Sequence, residues 1–203
     1  MNNRNKKTQC VCCVYMNDGK KKDQILWKAQ NVPQLLTAAD IFVKEVNVRQ
    51  TTVEITLTYR GTQASNVWFG IGFGSQQMID TYGIVYQPVS GTLESKFEEH
   101  KFGNHTTGTT LPTSFLYRNV VVSGSATTVT VVRPVTISGD NRYYSFAFNQ
   151  SRATQVQIPV IFARGTTQAL QSHGTTTRGS GSITLQYIGM KTCFFCLSYV
   201  PIF

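Results

Sequence analysis

The chain has 203 residues, enough for one domain with a full core and short for two. Hydrophobic residues make up 41% and charged residues only 14%, which excludes a disordered chain, since disorder goes with low hydrophobicity and high charge. The net charge of +9 suggests an anionic partner, yet Arg4, Lys6, Lys7, Lys20, Lys21, Lys22 and Lys28 crowd into the first segment. No Lys/Arg stripe with interleaved aromatics follows them, which argues against nucleic acid.

Residues 1–30 therefore read as a basic, solvated arm holding Cys10, Cys12 and Cys13. Met1 to Gln9 is polar and Cys10 to Tyr15 is too brief for the core of a secretory signal. Helical periodicity is almost absent, and only Val32 to Phe42 suggests a short helical turn. Strand signals take over from there. Val53, Ile55, Leu57 and Tyr59 alternate with polar residues, the pattern of a strand half-buried against a core. Val67 to Phe73 is continuously apolar or glycine and predicts a central strand covered on both faces. Gly70, Gly72 and Gly74 share one side of it, and glycine weakens a strand, so something bulky close to the backbone is one reason for them and tight sheet packing another.

Further strands are expected at Tyr82 to Tyr86, Leu116 to Val122, Thr128 to Val132, Tyr143 to Phe148, Val156 to Phe162 and Ser182 to Ile188. Gly61, Ser90-Gly91, Ser123-Gly124, Gly139-Asp140-Asn141 and Gly165 supply turns between them. Glu94 to Thr113 reads as a long polar loop, with His100 and His105 as surface residues and Glu94, Glu98 and Glu99 as a solvated acidic face. The expectation is an all-β fold: an immunoglobulin-like antiparallel β-sandwich of about nine or more strands over residues 31–190.

The chain ends in an apolar run, Cys193 to Phe203, within a tail of residues 191–203. The run is about half the length of a membrane-spanning helix and fits a final strand or the start of a membrane segment. Cys193 and Cys196 have the gap of a metal knuckle, but no neighbouring histidine completes a zinc set. A bridge to Cys10 or Cys12 stays open, and five cysteines leave one thiol over if disulfides form. The sequons Asn104-His105-Thr106 and Asn149-Gln150-Ser151 favour an extracellular or outward-facing, membrane-anchored setting.

Four segments in order resemble the DOMON family, whose members include the cytochrome domains of fungal sugar dehydrogenases. They are Trp68-Phe69-Gly70-Ile71-Gly72-Phe73-Gly74 followed by Met78, then Thr127 to Asp140 with Arg133-Pro134 and the Gly139-Asp140 turn. Val160 to Gly165 and Ser172-His173-Gly174 with Arg178-Gly179-Ser180 complete the set. The resemblance spans about Phe42 to Tyr187. It implies a haem b held between Met78 and His173, 95 positions apart in the chain.

A thioether and an imidazole on one iron fill both axial positions, which leaves outer-sphere electron transfer as the chemistry. On this reading Arg178 and Arg164 are partners for the haem propionates, and Phe69, Phe73, Tyr82 and Phe162 line the porphyrin. Trp68, on the other side of its strand from Phe69, is expected in the core. The expected partner is a redox protein or a membrane cytochrome, with peripheral or anchored membrane association. Two rival readings stand beside it: a haem-free module that binds carbohydrate or another small ligand, and an adhesive or structural extracellular sandwich. No nucleophile–base pair, phosphate loop or hydrolase motif suggests an enzyme.

Overall fold

A computed structural model describes residues 25–32, 40–61, 66–89, 95–149, 154–171 and 177–188. All five cysteines, Glu94, His173, most of the basic arm and the apolar tail lie outside them, as do residues 33–39 of the expected helical turn.

The chain is all-β. Among the described residues eleven strands follow in order: β1 (Trp27–Val32), β2 (Ile41–Val48), β3 (Thr52–Arg60), β4 (Phe69–Phe73), β5 (Tyr82–Pro88) and β6 (Ser95–Lys101). Then come β7 (Thr109–Leu111), β8 (Tyr117–Ser123), β9 (Ala126–Pro134), β10 (Gln155–Arg164) and β11 (Arg178–Tyr187). All pair in one antiparallel sheet of order β7-β6-β5-β4-β10-β11-β1-β2-β3-β9-β8.

The sheet curls, because side chains from opposite wings touch. Tyr59 of β3 meets Phe69 of β4 with ring centroids 5.6 Å apart. Arg133 of β9 lies over the Tyr82 ring of β5 at 4.8 Å. The enclosed core takes alternate residues of each strand: Val53, Ile55, Leu57 and Tyr59 from β3, Phe69, Ile71 and Phe73 from β4, and Ile158, Val160 and Phe162 from β10. Each such side chain contributes roughly 1.5–3 kcal/mol by leaving water. On the other face of β3 and β9, Thr56 bonds Thr130 at 3.1 Å and Thr58 bonds Thr128 at 3.0 Å, so the polar half of the alternation also pairs across strands.

Several expectations need correction. Glu94 to Thr113 is not a loop throughout, since β6 and β7 form a hairpin there, paired Glu99 to Leu111 and Lys101 to Thr109. Two of its ionisable residues, Glu99 and His100, are buried because they find partners. Glu99 is buried, and its carboxyl group accepts from Tyr82 Oη at 2.6 Å and Ser114 Oγ at 2.7 Å. His100 is buried too, with Nδ1 3.2 Å from the Thr107 carbonyl and Nε2 3.3 Å from Glu98. Tyr143 to Phe148 joins no ladder. Its backbone touches the sheet where Phe146 N donates to Val135 O, while the Tyr143 and Phe146 rings enter the core.

Candidate functional site on the outer face of β4

Antiparallel pairing fixes which connections share an end of the sheet. The β4–β5 loop, residues 74–81, and the β6–β7 loop, residues 102–108, leave one end, whereas the β10–β11 connection leaves the other. Between these ends, on the side of β4 facing away from the core, lies a cavity of about 680 Å³. That is within the roughly 300–1,000 Å³ of small-molecule sites.

Its floor follows from the pleat. Phe69, Ile71 and Phe73 turn into the core, so Trp68, Gly70 and Gly72 fall on the opposite face, joined by Ile161 and Ala163 of β10. Neighbouring protein atoms already crowd the two strand glycines there. A Cβ on Gly70 would come 2.6 Å from the Ile84 carbonyl oxygen, and one on Gly72 would come 2.7 Å from the Ile161 side chain.

The first end wall is made by the two loops. Met78 lines the cavity half-buried, in a turn closed by Thr81 N donating to the Met78 carbonyl at 3.1 Å. Thr81 Oγ1 donates to the Gln77 carbonyl at 2.5 Å, and Gln76 Nε2 reaches Gly181 O on β11 at 3.2 Å, tying the loop to the sheet. The neighbouring loop is fastened to it by Asp80 N donating to Phe102 O and Phe102 N to Thr81 O, both 2.9 Å, and it brings Asn104 and His105 to the cavity.

The opposite wall belongs to the β10–β11 connection. Trp68 N donates to Thr167 O at 2.9 Å and Leu170 N to Gln87 Oε1 at 2.8 Å, which holds this segment against the sheet. Leu170, Gln171 and Arg178 line the cavity. His173 sits in sequence between Gln171 and Arg178, and its own position is outside the described residues.

The residues singled out in the sequence thus divide into two groups. Met78 and Arg178 reach the cavity. Phe69, Phe73 and Tyr82 do not: they are core residues on the other face of the sheet. Phe162 adds to the cavity wall, but its ring belongs to the core and lies against Gly179. Arg164 also points to the core side, with Nη2 3.7 Å from Asp40 and its guanidinium 5.6 Å from the Tyr59 ring centre. Trp68, expected in the core, is buried, and it also borders the cavity.

The available signal was parity, since 68, 70 and 72 share a face in any strand and the glycines already marked that face. His105 had no comparable signal, because its place depends on a hairpin whose charged sequence did not read as strand.

The cavity is a mostly apolar slot with polar ends, and the described ionisable residues at it are His105 and Arg178. Such a slot suits a flat apolar molecule with a few polar or anionic groups, and Arg178 can pair with a carboxylate. No protein-family model matches the chain, and no curated protein matches it either.

Proposed function

We propose that this chain is a haem b-binding, electron-transfer module of the DOMON type, with Met78 and His173 as axial donors and the curled sheet as its sandwich. One observation carries the reading: a cavity with a glycine floor runs between the loop bearing Met78 and the connection bearing His173. The residues present fit the group. Gly70 and Gly72, with Ile161 and Ala163, give the cavity an apolar floor, buried Trp68 borders it, and Arg178 offers a cation for a propionate.

When bound, haem supplies reversible one-electron chemistry at iron. The chain's own part would be to hold the iron with Met78 and His173 and so set the redox poise. The soft Met78 thioether favours the reduced ion and raises the potential. With Met78 and His173 both holding the iron, the module would pass electrons. Its partner is then a redox protein or a membrane cytochrome. Exposed Asn104, in a sequon at the cavity, favours an outward-facing location.

A second reading has its own support. Trp68 with Gln76, Gln77, Asn104 and Gln171 resembles the aromatic platform and amide rim that suit a carbohydrate. Titration of the purified chain with haem b, followed by absorbance, separates the two. Stoichiometric binding with a six-coordinate spectrum favours the electron-transfer module, and no binding favours the carbohydrate-binding one.

A further inference from the structure

We infer that His100, in its doubly protonated form, clamps one end wall of the cavity in place, so that the cavity grips a ligand more tightly at low pH than at high pH. The inference rests on the reading of this cavity as the binding site and adds its regulation; it involves no axial donor.

The clamp follows from the alternation of β6. Phe97 enters the core and Glu99 bonds to Tyr82 there, so Lys96, Glu98 and His100 stand on the face that carries the cavity. Val85, the cross-strand partner of Glu98, is part of the lining. The His100 ring is 3% exposed and stacks on Phe102, with centroids 5.8 Å apart and an interplanar angle of 9°. Its Nδ1 lies 3.2 Å from the Thr107 carbonyl oxygen and its Nε2 3.3 Å from Glu98 Oε2. Both of these atoms are acceptors. A neutral imidazole has one N–H and satisfies one of them, whereas the imidazolium satisfies both.

The two contacts lead to opposite walls of the cavity. Thr107 lines it and belongs to the β6–β7 loop, which also brings Asn104 and His105 there. The bonds of Phe102 to residues 80 and 81 fasten that loop at its start, and the Thr107 contact fastens its far side. Glu98 Oε2 also accepts from Gln87 Nε2 at 2.5 Å, and Gln87 Oε1 accepts from Leu170 N at 2.8 Å on the opposite wall. A line of bonds, Thr107–His100–Glu98–Gln87–Leu170, thus joins wall to wall. Loss of the His100 proton sets a lone pair against the carbonyl or the carboxylate and breaks the line at that point.

The surrounding charges favour this form of the clamp. Lys96 Nζ lies 2.6 Å from Glu98 Oε1 and supports the ionised carboxylate. Asp80 and His105, on the loops packed there, are exposed, and β5 and β7 place uncharged Gly83 and Thr110 opposite His100.

The test follows the ring nitrogens of His100 and the amides of residues 103–108 by NMR in the full chain, between about pH 5 and 9. Fluorescence titration with anilinonaphthalene sulfonate, a flat apolar anion of constant charge in that range, reads the cavity beside it. The inference predicts that loss of the His100 proton and loosening of the loop share one midpoint. Affinity for the probe should fall roughly three- to tenfold across it, the value of one charged hydrogen bond. His105→Gln should keep this response and His100→Gln should abolish it. Glu98→Gln should hold the loop at high pH, because its amide can donate to the neutral ring. A loop that does not follow His100, or a loop response that survives His100→Gln, overturns the inference. A chain that binds no probe at any pH, while its loop still follows His100, overturns the reading of the cavity as the binding site and leaves the clamp standing.

Discussion

Arg133 and Glu99 meet inside the protein, Nε to Oε1 at 3.9 Å and both side chains fully buried, although β9 and β6 stand at opposite wings of the sheet. Their contact ties the curl together. Arg133 also donates to the Tyr144 carbonyl at 3.2 Å and faces the rings of Tyr82, Tyr143 and Phe146. Its Nε and Nη2 have no hydrogen-bond partner among the described residues, so the guanidinium depends on the nearby carboxyl group and the ring faces. Glu99→Ala therefore leaves a buried cation uncompensated and costs about 3–5 kcal/mol. Replacing both partners by apolar residues, Arg133→Met with Glu99→Leu, costs much less than the sum of the single changes. Urea unfolding of the wild type, Arg133→Met, Glu99→Leu and the double variant measures this, and additive single-variant losses would count against a coupled pair.

Tyr82 gives the same cluster a pH signature. Burial holds its phenol well above the ordinary value of 10.0; nearby Arg133 opposes that shift, and Glu99 adds to it. A folded-state pKa above the unfolded one contributes stability that is fully present below about pH 10 and lost as pH rises from there towards the folded value. The folded protein should thus lose stability above pH 10, and Tyr82→Phe should flatten that decline. Alkaline melts with tyrosinate absorbance check it, and an equally steep decline in Tyr82→Phe would contradict it.

Much of this architecture was readable in advance, and the exceptions have physical causes. Period-two alternation revealed β3, strand-rich runs between turn signals revealed β9 and β10, and the unbroken apolar run revealed β4 as central. The β2 alternation, by contrast, is broken by a register shift between Val43 and Glu45, so Ile41, Val43, Val46 and Val48 change phase midway. In β6, Ser-Lys-Phe-Glu-Glu-His-Lys looks solvated, and its burial depends on Arg133 and Tyr82, both distant in sequence. For the site, the Met78 loop and the glycine face were legible. The choice of Trp68 over Phe69 as the cavity aromatic was not taken, because alternation alone gives two faces without saying which one meets the core.

The cavity floor distinguishes its two glycines. A Cβ at Gly72 meets the side chains of Ile161 and Thr81, which can shift, whereas one at Gly70 meets backbone at Ile84. Gly72→Ala should fold with a loss of about 1–3 kcal/mol, the usual range for overpacking, and should bind haem more weakly as Ile161 is pushed from its place. Gly70→Ala should lose more stability. Thermal melts beside haem titrations measure both effects, and unchanged haem affinity in Gly72→Ala would argue against a ligand lying on this floor.

The strand β8 ends the sheet order, and Tyr117, Val121 and Val122 on it are exposed, as is the preceding Leu116. An apolar edge strand invites pairing with another chain. Val121→Lys with Val122→Lys should reduce concentration-dependent association while changing folding stability by less than about 0.5 kcal/mol per site. Light scattering across a concentration series, paired with urea melts, reads both, and equal scattering would show that this edge is not the sticky one.

The central proposal is that Met78 and His173 together hold one haem. The most direct measurement is the absorption spectrum of the wild-type chain with one equivalent of haem b, oxidised and then reduced with dithionite, beside Met78→Ala and His173→Ala. The account predicts sharp α and β bands in the reduced wild type, a changed axial signature in Met78→Ala, and loss of the native six-coordinate spectrum in His173→Ala. A wild-type spectrum indistinguishable from free haem, or one that neither substitution alters, would contradict it.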